Sequence, residues 1–167
     1  MTDTAQPIRA AACERVARAL KDAGLEDTIR EMPASTRTAE DAASACGCAV
    51  GQIVKSLVFR GKHSGRALLF LVAGDNRLDM KAAEALAGEP VSRPDAAYVR
   101  AETGFAIGGI PPLGHDRALK TYMDEDLLDY PLVHAAAGTP NSVFSVAPDA
   151  LKTATSALSG PLKEAAA

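Results

Sequence analysis

Lys55 is the residue hardest to explain as structure alone. It stands between Ile53 and Leu57 on one face of the apolar run Ile53-Val54-Lys55-Ser56-Leu57-Val58-Phe59, and an ammonium buried there without a partner is costly. Two readings fit. The stem lies along apolar surface while the head reaches solvent at a sheet edge, or the charge faces a cleft and meets an anion. The second unusual stretch is Gly104-Phe105-Ala106-Ile107-Gly108-Gly109-Ile110-Pro111-Pro112-Leu113-Gly114-His115, with four glycines and two prolines. Adjacent glycines permit positive φ and close approach to a ligand, and the prolines stiffen the chain beyond them. The amides of Gly109 and Ile110 are then candidate donors to an anion or oxyanion. A plain loop at the edge of a sheet fits the same residues.

Other reactive residue types are less suggestive. His63, His115 and His134 show no metal-ligand spacing, and no Ser-His-Asp order with a nucleophile elbow is present. His134 reads as a packed or edge residue of a strand and His63 as part of a turn. His115, adjoining the glycine stretch, is the one histidine that is a site candidate. Cys46-Gly47-Cys48 has redox or metal potential but lacks the second ligand pair of a zinc site. Its thiols read as small hydrophobes closing a helix end. No metal and no cofactor are expected.

These residues need elements to hold them. Ile8, Ala12, Val16 and Leu20 recur every four positions, which predicts an amphipathic N-terminal helix over 7–23 within residues 1–23. A short strand over 28–32 stops at Pro33, and Thr38 caps a helix reaching about residue 46. A strand over 52–60, a turn at 62–65 and an unbroken apolar run over 67–73 predict a central hairpin whose second strand is covered on both faces. Asp79 caps a helix over 80–87 that ends at Gly88. Beyond it come a helix over 95–102, strands at 120–123, 132–137 and 142–146, and a helix over 148–157. Residues 158–167 read as a fraying tail.

No regular strand-helix alternation is present, so the expected class is α+β: residues 1–167 as a single compact domain, with a mixed, mostly antiparallel sheet flanked by helices. At 47% hydrophobic but only 4% aromatic residues, the core must be built from aliphatic side chains. A net charge of −3 argues against coating nucleic acid by bulk electrostatics, leaving room for a local basic groove. No DNA partner and no membrane partner are expected. An odd set of cysteines, Cys13, Cys46 and Cys48, with no export signal near Met1, points to reduced thiols and a cytoplasmic location.

In order and spacing, several stretches over 38–148 resemble the YbaK/ProX family: Thr38-Ala39-Glu40-Asp41-Ala42, the lysine strand, Gly74-Asp75, Thr103-Gly104, Gly108-Gly109-Ile110-Pro111-Pro112-Leu113-Gly114 and Ala137-Gly138. That family includes the editing domain of many bacterial prolyl-tRNA synthetases and free-standing relatives that hydrolyse mischarged aminoacyl-tRNA. The resemblance implies a metal-independent aminoacyl-tRNA deacylase acting in trans on the acceptor end of a mischarged tRNA, with a synthetase as a possible partner.

The resemblance also implies site residues. Lys55 would hold the terminal phosphate or orient the adenosine, and the amides around Gly108 and Gly109 would hold the ester carbonyl. Thr38, Ser56, Ile110, Pro112, His115, Ala137 and Gly138 would line the substrate. A ribose hydroxyl of the substrate would help to position or activate the attacking water. Ala136-Ala137-Gly138 stands where members acting on cysteinyl-tRNA commonly carry Ser-x-Gly, so alanine, serine, threonine or another small amino acid on the proline tRNA is expected. A binding module that grips tRNA or a synthetase without cleaving the ester is the rival reading. A loop holding a small nucleotide is a third, without the strand-loop-helix context of a P-loop.

Overall fold

A strand with no polar residue settles only where both of its faces are covered. In the computed structural model, which describes residues 9–165, the run 67–73 does this at the middle of one sheet. In chain order the elements are α1 (Ala11–Asp22), β1 (Arg30–Glu31), α2 (Ala39–Cys46), β2 (Ile53–Gly61), β3 (Ala67–Ala73), α3 (Met80–Ala87), β4 (Val91–Ser92), α4 (Ala96–Thr103), β5 (Lys120–Asp124), β6 (Val133–Ala136), β7 (Ser142–Val146), α5 (Pro148–Thr155) and β8 (Leu158–Gly160). Short 3-10 turns occur at Val50–Gln52 and Glu125–Asp129.

The sheet order is β1-β7-β6-β2-β3-β5-β8, with β4 pairing to β2. The expected central hairpin runs antiparallel from Val54↔Ala73 to Arg60↔Ala67. Parallel pairings join β6 to β2, β5 to β3 and β8 to β5, while β7 runs antiparallel to β6 and β1 to β7. The chain is thus a single α+β domain with a mixed sheet between helices.

Alternation along β3 divides the core. Leu69, Leu71 and Ala73 face Val16 and Leu20 of α1, Leu151 of α5, Met123 and Phe144. Leu68, Phe70 and Val72 face Ala83 of α3, Phe59, Tyr122 and Leu162. On that second side Phe70 stacks on Tyr122 at 5.1 Å between centroids, and Phe59 meets Phe70 edge-on at 5.6 Å. The caps behave as their side chains predict. Thr38 Oγ1 accepts from Asp41 N–H at 3.0 Å, opening α2, and Asp79 Oδ1 accepts from Lys81 N–H at 3.0 Å, opening α3.

Two expectations change. The N-terminal helix is seen over Ala11–Asp22; Ile8 and the rest of 1–8 lie outside the described residues. The expected fraying tail is instead ordered structure through residue 165. Leu158–Gly160 lies parallel to β5 as an edge strand, Asp79 N–H donates to Leu162 O at 2.7 Å, and Lys163 bridges to Leu78. Leu162 is fully buried against Phe70 and Tyr122. Small residues around it hid the segment, because one leucine and its backbone pairing form no periodic pattern.

Leu162→Ala is therefore expected to cost about 2–5 kcal/mol, the range for emptying a buried leucine site. Denaturant unfolding would measure it, and a change within about 0.5 kcal/mol would mean that the segment is not core.

Candidate active site

The site begins with an interruption in backbone pairing. β2 is paired to β3 over seven positions, but on its other edge it meets β6 only at Ile53 and Val54 and β4 only at Arg60 and Gly61. Over 55–59 that edge has no neighbouring strand. Gly74 N–H donates to Ile53 O and Gly61 N–H to Arg66 O on the hairpin side. By alternation the peptide groups of Ser56 and Val58 therefore point to the open edge. A cleft of about 340 Å³ lies along it. Its walls are residues 36–40 at the start of α2, residues 53–57 of β2, Gly74, residues 107–110 of the glycine loop, and residues 134–136 of β6.

Lys55 stands half-buried among the residues that line this cleft. Its Nζ donates to the carbonyl oxygen of Asn76. Asn76 is itself fixed, because its Nδ2 donates to Oδ2 of Asp124 and of Asp126, each at 2.8 Å. Asp124 is 1% exposed and also accepts from the amides of Ala73 at 3.1 Å and Asp126 at 3.0 Å. Lys163 pairs with Asp126 at 2.9 Å, so the C-terminal segment supports the same group. Burial pushes the Lys55 pKa below its ordinary value, while Glu40, Asp75 and Asp124 pull it back up.

Across the cleft, residues 104–115 turn at Gly108, whose φ is 107°. Of the two adjacent glycines, the positive φ belongs to Gly108 and not to Gly109. Gly109 is required for a different reason: a Cβ there would stand 2.7–2.9 Å from backbone atoms of Thr139. Residues 107–110 form a tight turn and line the cleft. Ile107, 60% exposed, forms the lip.

The loop is held from behind. The Arg15 guanidinium of α1 lies 4.4 Å from the centroid of Phe105, donates to Gly104 O at 2.9 Å and pairs with Asp116. His115 Nε2 donates to Pro111 O at 2.7 Å, and its ring meets Phe105 edge-on at 6.1 Å. Burial lowers the His115 pKa, in keeping with a neutral ring used as a brace.

Thr38, Lys55, Ser56, Gly108, Gly109 and Ile110 thus share one cleft. Pro112 and His115 do not join them; they line a second hollow on the far side of the loop with Leu119 and Thr121. Ala137 is fully buried in the core. Gly138, with φ 104°, packs where a Cβ would be 3.0 Å from Ala12 of α1. Cys46 and Cys48 sit half-buried at the end of α2, with thiol pKa values pushed up by burial. Among the described residues no group of three or more His, Cys, Asp or Glu is placed to hold a metal ion.

Of two further cleft residues, Arg37 was not singled out in the sequence and His134 was read there as a packed or edge residue of a strand. Arg37 is exposed at the mouth, its Nε 3.5 Å from where a Gly108 Cβ would lie. The available signal was a basic residue one place before a helix cap. His134 lines the inner end of the cleft at 7% exposure. A polar residue in the apolar strand Leu132-Val133-His134-Ala135-Ala136 breaks its pattern as Lys55 breaks that of β2.

The sequence pattern of the aminoacyl-tRNA editing domain matches residues 33–154. The crystal structure of a candidate trans-editing enzyme for prolyl tRNA synthetase has a TM-score of 0.89 and 50% identity to this chain, covering 95% of this chain and 100% of that one. The uncharacterised protein YwhH of Bacillus subtilis is 32% identical over 126 residues, 75% of this chain and 80% of its own length. The candidate Cys-tRNA(Pro)/Cys-tRNA(Cys) deacylase EbsC of Enterococcus faecalis is 29% identical over 119 residues, 71% of this chain and 72% of its own. The matched span takes in α2, the lysine strand, the glycine loop and β6, so the chain belongs to the aminoacyl-tRNA editing domain family.

Proposed function

We propose that this editing domain hydrolyses the ester between a small amino acid and tRNA, with the proline tRNA as its substrate, and that it acts in trans. The observation that carries the reading is the juxtaposition across one cleft of an ammonium held by Asn76 O and a glycine turn, residues 107–110, that brings backbone close to the same space. Similarity to a trans-editing protein for prolyl tRNA synthetase supports the choice of tRNA and the action in trans. It also supports a synthetase as the partner from which the substrate arrives.

In this reading the 3′-terminal phosphate and ribose lie at the mouth, between Lys55 and Arg37, as charge-assisted contacts favour. The ester carbonyl lies between the open edge of β2 and the glycine loop. Water, positioned by a ribose hydroxyl, adds to the carbonyl carbon. The amides of Gly109 and Ile110 receive the negative charge that develops on oxygen. The ester C–O bond then breaks, the ribose oxygen takes a proton, and free amino acid and tRNA leave. Donors fixed before the reaction need no reorganisation when the charge forms, which is why backbone amides suit this task.

Lys55→Ala is expected to remain folded and to lose about ten- to a hundredfold in single-turnover deacylation, the worth of one hydrogen bond to a charged group. Full activity would remove Lys55 from the site. Gly109→Ala, whose Cβ would press the loop off Thr139, is expected to slow deacylation about a hundred- to a thousandfold while tRNA affinity changes little; equal losses in rate and affinity would make the loop a scaffold only. Incubation with a strong chelator is expected to leave the rate unchanged. A loss restored by zinc would require a metal in the mechanism.

A further inference from the structure

The loop over 104–115 carries the proposed donors to the ester, and a stretch with four glycines keeps no fixed direction without outside support. Both of its ends rest on α1. At Gly104, φ is 79° and a Cβ would stand 2.5 Å from the Asp116 carboxylate and 2.6 Å from the Arg15 guanidinium. At Gly114 a Cβ would meet the Ala19 side chain at 3.4 Å and the carbonyl oxygen of Arg15 at 3.5 Å. Between these ends Phe105 and Leu113 enter the core in the same cluster as Val16. Residues 15–19 of α1 are thus the surface on which the loop stands.

Arg15 makes three contacts there. Its Nη1 donates to Gly104 O at 2.9 Å, its Nη2 pairs with Asp116, and its guanidinium carbon lies 4.4 Å from the centroid of Phe105. Asp116 N–H donates to Thr103 O at 3.1 Å, so the two ends of the loop are tied at its base and Arg15 spans the tie. With side chains 34% and 56% exposed, the Arg15–Asp116 pair adds little to global stability. Its value is geometric, because a planar fork reaches a carbonyl, a carboxylate and an aromatic face at once, as an ammonium does not. The brace continues from Phe105 to the His115 ring, edge-on at 6.1 Å, and from His115 Nε2 to Pro111 O at 2.7 Å. Residues 107–110, which line the cleft, hang between two braced positions, Phe105 and Pro111.

Resting on the hydrolytic reading above, we propose that Arg15 is a positioning residue of the reaction, one that lines no part of the cleft and places the loop amides by fixing Gly104, Phe105 and Asp116. α1 is then a working part of the site, although it lies outside the span 33–154 that the editing-domain pattern matches. A misplacement of about 1 Å caused far from the chemistry costs about a hundredfold in rate. The loss falls on the chemical step, while tRNA contacts at the mouth are kept.

The test compares the parent protein with Arg15→Ala, Arg15→Lys and a control, Arg18→Ala, which removes an exposed charge from the same helix. Single-turnover deacylation, affinity for uncharged tRNA and amide hydrogen exchange are measured on each, with folding checked by circular dichroism. Arg15→Ala is expected to lower the rate about ten- to a hundredfold and to leave tRNA affinity within about twofold. Its amides over 105–110 are expected to exchange at least about tenfold faster, while those of β3 keep the parent's protection. Arg15→Lys is expected to fall between Arg15→Ala and the parent, and Arg18→Ala to match the parent throughout. Guanidinium ion at a non-denaturing concentration is expected to restore part of the rate to Arg15→Ala by refilling the vacated place, where sodium at the same concentration does not. A folded Arg15→Ala protein with the parent's rate and loop exchange would overturn the proposal. So would exchange that rises equally in the loop and in β3, the mark of a general loss of stability, or a loss of tRNA affinity as large as the loss of rate. Faster loop exchange in Arg15→Ala, beside a parent that hydrolyses no ester, would uphold the hold of Arg15 on the loop and sink the hydrolase reading.

Discussion

A strand in the middle of a sheet ordinarily spends its backbone groups on both neighbours, and β2 does not. Its hairpin partner β3 occupies one edge throughout, while β6 leaves after two residue pairs and β4 arrives only at Arg60. Unpaired peptide groups are tolerated where water or a ligand reaches them and are costly where neither does. The stretch 55–59 therefore has to border a cavity, and the rest of the site is arranged around that need. The first turn of α2 covers one side, the glycine loop closes the other, and the face of β2 carrying Lys55 is turned into the gap. Had β6 continued alongside β2 for three more residues, the cleft would be a filled sheet.

Holding an ammonium in such a gap requires compensation, and the chain supplies it through backbone and carboxylates together. Lys55 donates to a carbonyl oxygen rather than to a carboxylate, so its charge is oriented but not neutralised by a direct ion pair. The residue providing that carbonyl, Asn76, is pinned by Asp124 and Asp126. A buried carboxylate such as Asp124 is stable only when hydrogen bonds replace its lost hydration, and the amides of Ala73 and Asp126 and the side chain of Asn76 do so. The Lys163–Asp126 pair adds support from the far end of the chain. An anion entering the cleft thus meets a cation already aimed and only partly compensated.

Much of this was legible because it is local. The hairpin, the Thr38 and Asp79 caps and the positions of most helices are set by spacing within a dozen residues, and Lys55 stood out because one polar residue breaks an apolar period. His134 breaks its own strand in the same way, but the strand is only Val133–Ala136, too short for a period to register the break. The division of labour between Gly108 and Gly109 was not readable at all. One glycine answers to backbone torsion and the other to Thr139, thirty residues away. His115 misled through adjacency: past Pro111 and Pro112 the chain doubles back, and a neighbour in sequence faces the other side of the loop. The C-terminal strand was missed because its hold on the fold is long-range pairing with β5.

The same distinction between local and distant contacts separates chemistry from selectivity in the proposed reaction. The donors to the ester are amides of Gly109 and Ile110, and backbone amides cannot be exchanged by substitution. What can vary is what holds them in place, namely Arg15 over Phe105, His115 under Pro111 and the packing of Gly138 on Ala12. Two of these contacts reach α1, which lies outside the span that the family pattern matches. The inner end of the cleft is the reverse case, because Ile53, His134 and Val143 line it with side chains rather than backbone amides. A change there alters which amino acid fits and leaves the loop amides where they are. A scaffold divided in this way can shift among small amino acids one side chain at a time while the ester is attacked against the same unchanging backbone.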